Sequence, residues 1–493
     1  MTEAPHVVMA VGSPIAIDSR VRKTARSVRD MGYRVTVLYA REAPGAPEEE
    51  DLDGIRVIGL PVAHHLRDWG AARDLKRAQR PVRSLGLGYP TAQRRRVRAA
   101  ALAAAEARLA GAPAPLGLAA AKAVHRLRSK VYSVLAEGRR RRLEGRRGRR
   151  PWRAELGEMA DLEAVFTPWM DRLRPDILHA HDIHPLGAAV NAKRRAARAG
   201  RPVKLVYDAH EYVAGLAGPD RHTMRALTAM EAELIREADG VVTVSDQIAD
   251  RLMAEHRLAA RPTVVVNAPP LALAGAAGPT VRDAAGLAPD VPLAVYSGVL
   301  QTNRNLATLI RATAMLDGVH LALVCVPNTQ TGPARDLARL AAEAGAAGRV
   351  HLVEPVAPER VVAFLAGASV GVNPMAAGHL NHELTLPNKL FECLWAGVPV
   401  AVSDVGAMAA VVRRWDVGTV FDPADPASMA AAIQDALEGR DRYALAARSP
   451  RLRETWAWEA QAARLGELYG ALVPLPDAVP PARPAPPGPE DQP

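Results

Sequence analysis

The sequence predicts an α/β protein with two doubly wound domains that face a central cleft, and three observations lead to this fold class. The length of 493 residues exceeds what one compact domain usually holds. Short apolar runs alternate with helix-compatible segments in both halves, which predicts parallel sheets covered by helices on both faces. A segment rich in Pro, Gly and Ala, APPLALAGAAGP, follows Asn267 and separates the halves. Ligands are therefore expected between the domains, at the carboxyl ends of the strands.

The first domain is expected to span residues 1–268. Its predicted strands are, in chain order, VVMAV, RVTVLY, IRVIGL, DILHA, KLVY, GVVTV and TVVVN. After a linker at 269–285, the second domain at 286–473 repeats the pattern with LAVYSGV, LALVCV, RVHLV, VGVNP, PVAVS and GTVF. Residues 474–493 contain nine prolines and are expected to form a disordered tail.

A basic helical insertion is expected in the first domain, over about residues 61–165. Residues 61–150 carry a charge of about +18, whereas the whole chain carries +10, so the remainder is acidic. Runs such as QRRRVRAAALAAAEARLA favour helices. The insertion could be a solvated surface, or a patch that meets anionic lipid or an acidic partner. A nucleic-acid site is the least supported interpretation, because aromatic residues are not interleaved with the arginines.

The composition bears on the compartment. The chain has 49% hydrophobic and 24% charged residues, so it can bury substantial cores. Two cysteines, Cys325 and Cys393, are too few for a disulfide framework or a Cys-based zinc site. We expect neither a signal peptide nor a spanning helix. The expected location is the cytoplasm, with peripheral attachment to the inner face of the cell membrane as a possible addition.

Two strand-to-helix junctions of the second domain predict a diphosphate site. Asn388 and Lys389 open a short helix, whose N-terminus attracts anions. Glu392 follows on the same helix face, where its carboxylate could bind a ribose diol. At the other junction, Gly298 permits close backbone approach and the Arg304 guanidinium could bind phosphate oxygens. Each residue alone could be an ordinary surface residue, but their joint position after strand ends favours a shared pyrophosphate.

These segments resemble the family 4 retaining glycosyltransferases of the two-Rossmann (GT-B) fold. The resemblance is carried by LPNKLFECLWAGVPVAVSDVG, SGVLQTNRNLATLI, DSRVRKTARSVRDMGYRVTVL, DILHAHD, VYDAHEY and ADGVVTVSDQIADRL. It covers most of the chain outside the insertion and the tail. It implies that Arg304 and Lys389 hold the diphosphate of a nucleotide-sugar donor, that Glu392 holds its ribose, and that no metal or other cofactor takes part. It also implies a place in cell-envelope or polysaccharide biosynthesis.

One position departs from the family pattern. The paired glutamates of the family have seven residues between them, whereas Glu383 and Glu392 have eight, and Leu384 stands at the usual spacing. Glu383 is expected as a loop residue near the donor sugar. It is included among the candidate catalytic residues together with His181, Arg304 and Lys389.

Histidines and carboxylates follow two predicted strands of the first domain. The motifs HAHD and YDAHE contain His179, His181, Asp182, Asp208, His210 and Glu211. We assign no metal to them, because no ligand set recurs in the donor half. His181 is expected at the cleft edge, where its imidazole would form a hydrogen bond with the transferred sugar, and a structural histidine is the alternative.

Other local patterns support a glycosyltransferase over other enzymes. By resemblance, the loop with Asp18, Arg20 and Arg22 faces the acceptor. Asp51 and Asp53 spell a DxD sequence, which is expected to be a turn rather than a metal site. The first domain has neither GxGxxG nor GxSxG, which disfavours a dinucleotide-dependent oxidoreductase and a serine hydrolase.

The expected function is transfer of a sugar from a nucleotide-diphospho-sugar to an acceptor hydroxyl, with retention. The acceptor could be a glycan, a lipid-linked molecule or a small molecule. A nucleotide-sugar 2-epimerase is one alternative, since it shares the two-domain plan. A non-catalytic scaffold that docks through the basic insertion is the other.

Overall fold

A computed structural model describes residues 3–15, 18–41, 45–63, 152–275 and 277–476. Most of the predicted basic insertion, residues 64–151, lies outside the described residues, as does the predicted tail from residue 477. Within the described ranges, no helix has both the length and the apolar character needed to cross a membrane.

The first domain contains an eight-stranded sheet in the order β3-β4-β2-β1-β5-β6-β7-β8. Strand β3 is antiparallel to β4, and the other neighbouring strands are parallel. The central strand β1 is buried along its whole length, as expected for the run HVVMAV between two helical layers. The strands are β1 (His6–Val11), β2 (Arg34–Arg41), β3 (Glu48–Leu52), β4 (Ile55–Pro61), β5 (Ile177–His181), β6 (Lys204–Ala209), β7 (Gly240–Thr243) and β8 (Thr263–Val264).

Helices cover both faces of this sheet. They are α1 (Ser19–Asp30), α2 (Trp152–Glu155), α3 (Gly157–Leu173), α4 (Leu186–Arg198), α5 (Arg221–Leu234) and α6 (Asp246–His256). Helix α3 overlaps the predicted insertion, and its Met159 and Leu162 are buried in the core of the first domain. Residues 152–165 therefore belong to the body of the domain, and the predicted boundary at residue 165 is too late.

The strands β3 and β4 form a hairpin that contains the DxD sequence. Asp51 Oδ1 accepts a hydrogen bond of 2.8 Å from the backbone N–H of Gly54. Asp53 has a φ of 56°, in the left-handed region that aspartate tolerates in turns. The prediction that this sequence is a turn is confirmed.

The second domain contains a six-stranded sheet in the order β11-β10-β9-β12-β13-β14, and all its neighbouring strands are parallel. This is the strand order of doubly wound nucleotide-binding folds. The strands are β9 (Leu293–Val299), β10 (His320–Val326), β11 (Val350–Val353), β12 (Val370–Asn373), β13 (Val400–Ser403) and β14 (Gly418–Phe421). The helices are α7 (Val281–Ala285), α8 (Leu306–Ala314), α9 (Gly332–Glu343), α10 (Val361–Leu365), α11 (Leu380–Leu384), α12 (Asn388–Trp395), α13 (Gly406–Trp415), α14 (Pro426–Glu438), α15 (Arg440–Ala447), α16 (Pro450–Trp456) and α17 (Trp458–Leu472).

The border between the domains differs from the prediction at two places. Val281 in α7 is buried in the core of the second domain, so α7 belongs to that domain rather than to the linker. Helix α17 crosses back to the first domain, where Trp458, Leu465 and Tyr469 join the core on one face of the first sheet. An apolar helix face does not specify which of two sheets will cover it. The prediction therefore placed α17 in the second domain, with the segments that precede it in sequence. The fold class itself is confirmed.

Candidate functional site

The predicted donor residues Gly298 and Lys389 meet at the carboxyl end of β9. The Lys389 Nζ atom lies 4.1 Å from the centre of the Tyr296 ring. Gly298 has a φ of 143°, and a Cβ atom on it would lie 2.8 Å from Lys389 Nζ. The positive φ favours glycine here, and a larger residue would also displace the ammonium group of Lys389.

Positive charge at this junction is incompletely compensated. Burial and the nearby Arg304 lower the pKa of Lys389 to about 7, although Glu392 opposes the shift. Burial raises the pKa of Glu392, and the attraction of Lys389 and Lys23 only partly offsets it. Lys389 and Lys23 thus share the carboxylate of Glu392, whose charge is itself disfavoured, and Arg304 adds further positive charge beside Lys389. An anion bound here would stabilise the charged form of Lys389.

The remaining predicted donor residues lie on two short helices. Asn388 begins α12, next to Lys389, and Arg304 lies in a 3₁₀ turn before α8. Glu383 is exposed and lies within helix α11, so the expectation that it is a loop residue is wrong. Leu384 is buried in the core cluster of the first domain, with Leu380 packed beside it. The helix forms because this i, i+4 leucine pair docks on the first domain, which leaves Glu383 facing outward.

Helix α11 is thus a direct contact between the two domains. The Asn381 Oδ1 atom accepts a hydrogen bond of 2.9 Å from the backbone N–H of Tyr212, in the loop after β6. The neighbouring Glu211 also interacts electrostatically with the second domain, through Arg304. Burial and Asp182 raise the pKa of Glu211, while His210 and Arg304 oppose the shift. We call the group formed by Gly298, Arg304 and Lys389 the donor junction. It faces the carboxyl ends of β5 and β6 across the cleft between the domains.

A buried ion pair lies beneath the ends of β5 and β6. Arg20 donates from Nε and Nη2 to the two carboxylate oxygens of Asp208, both at 2.8 Å. Its Nη1 also donates to the carbonyl of Val265 at 2.7 Å. Although burial opposes ionisation, Arg20 holds the pKa of Asp208 well below its usual range, helped by His210. The side chains of Arg20 and Asp208 are 4% and 2% exposed, so Arg20 does not face an acceptor as predicted.

His181 belongs to this buried network and not to the cleft edge, so its predicted location is wrong. Its exposed fraction is 0%, and it stacks on His179 with 4.0 Å between the ring centres. Its Nδ1 lies 3.2 Å from His210 Nε2 and 3.4 Å from Asp208 Oδ2. Burial lowers the pKa of His181, so the imidazole is neutral at pH 7. The alternation of side chains along β5 turns His179 and His181 to the same covered face.

His184, 42% exposed, and His210, 18% exposed, have accessible imidazoles, and neither was predicted as a site residue. His210 is the one that contacts the buried network. Burial disfavours its charge, but Asp208, 3.5 Å from Nε2, outweighs this and raises the pKa of His210. His210 is only half-buried and lies directly after β6. The signal was present in YDAHE, because the first residue after a strand of a doubly wound domain faces the crevice.

His210 lines a cavity of about 570 Å³ in the first domain. The cavity lies at the carboxyl ends of β1, β2, β4, β5 and β6, with α3 forming a further wall. Its lining comprises Val11, Gly12, Ser13, Pro14, Asp18, Ala40, Arg41, Val62, Glu158, Leu162, Asp182, His184 and His210. Of the three residues predicted to face an acceptor, only Asp18 lies here.

The β1–α1 segment also connects the domains. Arg22 forms a salt bridge of 2.6 Å with Glu359 of the second domain. Lys23 Nζ donates to the carbonyl of Ala268 at 2.5 Å and lies 4.5 Å from the centre of the Trp458 ring. Burial lowers the pKa of Lys23 to about 7. No sequence pattern indicated this role, because it depends on where α17 docks.

The geometry also bears on metal binding. His179, His181 and Asp208 have ligand atoms within 4.8 Å of one another. Both oxygens of Asp208 already accept hydrogen bonds from Arg20, and His179 Nδ1 lies 2.7 Å from the Tyr469 hydroxyl. A cation placed here would lie next to a buried guanidinium, which makes the cluster better suited to an internal ion pair than to a metal.

Two protein-family models match the chain. The model described as Glycosyltransferase Family 4 matches residues 115–269, and the model described as Glycosyl transferases group 1 matches residues 291–439. Together the matched ranges cover more than half of the chain. They include the ends of β5 and β6 in the first domain and the donor junction in the second.

Curated relatives include the D-inositol 3-phosphate glycosyltransferase of Thermobispora bispora, which is 29% identical over 306 residues. That match covers 54% of this chain and 70% of the relative, and matches to two further relatives of the same name cover 62% and 61% of their length. Among solved structures, sucrose-phosphate synthase from Thermosynechococcus elongatus has a TM-score of 0.62 at 17% identity, over 95% of this chain and 99% of that one. Anabaena HepE in complex with UDP and glucose has a TM-score of 0.57 at 14% identity, over 95% and 100%. These structures share the fold.

Proposed function

The chain belongs to the family 4 glycosyltransferases of the GT-B fold, and from this premise we propose that it is a retaining, metal-independent enzyme that uses a nucleotide-diphospho-sugar donor. The observation that carries the donor assignment is the junction of Gly298, Arg304 and Lys389. It combines a glycine that allows close approach with two basic groups that lack full compensation. A diphosphate supplies the missing negative charge.

The leaving nucleoside diphosphate gains negative charge as the glycosidic bond breaks. Lys389, Arg304 and the N-terminus of α12 would stabilise this charge most strongly in the transition state, which is where binding accelerates a reaction. Glu392 lies one turn after Lys389 and would accept hydrogen bonds from the ribose hydroxyls. Retention would follow if the acceptor attacks the face from which the diphosphate leaves, with a diphosphate oxygen taking the acceptor proton.

The acceptor would bind in the cavity of the first domain, opposite the donor junction. His210 is suited to contact the transferred sugar, because it reaches the cavity while Asp208 and Arg20 hold it from beneath. His181 would then act as a positioning residue, since its Nδ1 lies 3.2 Å from His210 Nε2 and it has no exposed surface. Glu383, exposed on α11, remains a candidate on the rim of the cleft.

The Lys389→Ala variant tests the donor assignment. A charge-assisted hydrogen bond is worth roughly 1.5–3 kcal/mol, so donor binding or turnover should fall about ten- to a hundredfold. Binding of UDP, GDP and ADP is measured by calorimetry. Release of UDP from UDP-glucose, of GDP from GDP-mannose and of ADP from ADP-glucose is measured by coupled assay. Lys204→Ala is the matched control, because Lys204 lies at the opposite, amino end of β6. Unchanged nucleotide binding and turnover in a folded Lys389→Ala variant would contradict the assignment.

The same assay separates transfer from epimerisation. A transferase releases free nucleotide in proportion to glycosylated product, whereas a 2-epimerase that re-forms its nucleotide-sugar releases none in net terms. Loss of UDP-sugar without stoichiometric nucleotide release would therefore favour the epimerase.

The enzyme is expected to work in the cytoplasm, in cell-envelope or polysaccharide biosynthesis, with peripheral attachment to anionic membrane. The support is the charge of about +18 over residues 61–150, since each basic residue near an anionic surface contributes on the order of 1 kcal/mol. Co-sedimentation with anionic and neutral vesicles tests this. Pelleting should require anionic lipid and should decrease at high salt. Equal pelleting with both vesicle types would argue against attachment.

A further inference from the structure

We propose that the acceptor held in the cavity of the first domain is an uncharged polyhydroxylated molecule, a sugar or polyol without a phosphate group. This inference rests on the proposed function, because it names the acceptor class of that site. It is carried by the charges that line the cavity and by the partners that those charges already have.

Three carboxylates line the cavity from three different elements. Asp18 caps α1, Glu158 lies in the first turn of α3, and Asp182 follows β5. Two of them are fixed by backbone hydrogen bonds: Asp18 Oδ1 accepts from the N–H of Val21 at 3.1 Å, and Asp182 Oδ1 accepts from that of Ile183 at 2.7 Å. The carboxylates therefore present fixed acceptors, which suit the donor hydroxyls of a sugar.

The basic side chains that line the cavity, among the described residues, each have at least one partner, although the Nε atom of Arg41 has none. Arg41 forms a salt bridge with Glu48 and donates to the carbonyl of Ala46 at 3.0 Å. His184 Nδ1 lies 3.4 Å from Asp182 Oδ2. An anion that entered the cavity would have to compete with these partners.

His210 completes the same pattern, since its Nε2 lies 3.5 Å from Asp208 Oδ2. Glu211 follows it at the open side of the cleft and adds a further carboxylate. A phosphate monoester would bring about two negative charges among these groups. Repulsion between the carboxylates and a phosphate is strongest where water is partly excluded, as in a cavity. The cavity therefore disfavours a phosphorylated acceptor.

The apolar part of the lining fits a sugar ring. Val11, Val62 and Leu162 provide surface for its C–H groups while the carboxylates bind its hydroxyls. The contrast with the donor junction is direct, because there Lys389 lies beside Arg304 and Glu392 only partly offsets their repulsion. The proposal also separates this chain from its relatives named for D-inositol 3-phosphate.

Paired probes that differ only by a phosphate group test the proposal. Calorimetric titrations of the full chain, with UDP present, would compare myo-inositol with D-inositol 3-phosphate and glucose with glucose 6-phosphate. The unphosphorylated member of at least one pair should bind. Its affinity should be about tenfold or more higher than that of its phosphate ester. UDP release from UDP-glucose, with each probe as acceptor, gives a second readout.

A charge-removing variant reports whether the cavity carboxylates cause the selection. The double variant Glu158→Gln, Asp182→Asn should bind the phosphate esters about tenfold more tightly than the native chain and the unphosphorylated probes less tightly. Asparagine suits position 182, because Asp182 has a φ of 67°. Glu50→Gln, on the exposed edge strand β3, is the matched control and should change neither affinity.

Tighter binding of the phosphate esters to the native chain would overturn the proposal, and so would a failure of both members of every pair to bind. Weaker binding of the esters to the double variant would show that the carboxylates do not repel phosphate. Separate titrations with UDP, GDP and ADP alone report on the donor site. Failure to bind UDP, GDP and ADP alike would refute the proposed function, whereas intact nucleotide binding with preferred phosphate esters would refute only the acceptor class.

Discussion

Donor binding should become weaker as the pH rises above 7, because Lys389 titrates there. Burial and Arg304 lower the pKa of this lysine to about 7 in the free protein. A bound diphosphate favours the ammonium form and so raises that pKa toward its ordinary value. Formation of the complex therefore takes up a proton at pH values above 7. The affinity for the donor consequently falls with each further pH unit.

The size of the effect follows from linkage. Well above the free pKa, one pH unit costs about 1.4 kcal/mol, which is about tenfold in affinity. Between about pH 7 and about pH 9 the dissociation constant for UDP should rise about fiftyfold, provided that the pKa in the complex lies above 9. The terminal phosphate of UDP is already ionised in this range, since its second pKa is about 6.

Calorimetry measures both quantities. Titrations of UDP at several pH values give the affinity, and titrations in two buffers of different ionisation enthalpy give the number of protons taken up, which should approach one near about pH 8. Lys389→Arg should abolish the pH dependence, because arginine stays charged. Lys23 also has a pKa lowered to about 7, so Lys23→Arg is the control that should keep the dependence. An affinity that stays constant between pH 7 and 9 would refute the reasoning.

Two further substitutions test the donor junction and the buried ion pair between Arg20 and Asp208. Gly298→Ala should weaken UDP binding in calorimetry without unfolding the protein, because its Cβ would lie 2.8 Å from Lys389 Nζ, at a φ of 143°, and would displace the ammonium group. Gly332→Ala is the control and should bind UDP normally, because a Cβ at Gly332 would have no atom within 4 Å. Asp208→Asn should lower the free energy of unfolding in urea by about 3–5 kcal/mol, because it leaves the Arg20 guanidinium buried without its carboxylate. The pKa of Asp208 is held low in the folded protein, so its stabilisation should be present at neutral pH and lost in acid, as the pH falls below its unfolded value of about 4 and then through the folded pKa. A melting profile of Asp208→Asn equal to that of the native chain would contradict the second prediction.

The parts of the fold that were predictable are those set by neighbours in sequence. Apolar runs such as HVVMAV and LAVYSGV indicated buried parallel strands, and the two sheets contain them. The donor junction was predictable for a similar reason, because Gly298 and Lys389 each follow from their distance to a strand end or a helix start. The position of a residue relative to its own element needs no knowledge of the rest of the chain.

The parts that were missed depend on contacts between distant segments. His181 follows the same strand-end rule, but it is covered because Arg20 and Asp208 form an ion pair beside it and His179 bonds Tyr469 of α17. Glu383 lies on a helix only because Leu384 finds a covering surface on the first domain. In each case a deciding partner is distant in sequence, namely Arg20 and Tyr469 for the two histidines and the first domain for Leu384, so no local pattern reports it.

The charges on the two sides of the cleft differ, and this difference supports the proposed placement of the donor and the acceptor. In the second domain, a half-buried Lys389 beside Arg304 has too little negative charge around it, so a bound anion relieves an unfavourable arrangement. In the first domain, Asp208 pairs with both Arg20 and His210, and the cavity above them adds the carboxylates of Asp18, Glu158 and Asp182. An anionic donor would therefore bind more favourably to the second domain, and an uncharged acceptor to the cavity of the first domain. The negative charge that develops on the leaving diphosphate would then be repelled from the acceptor side and drawn toward Lys389, which favours bond breakage in the direction of transfer.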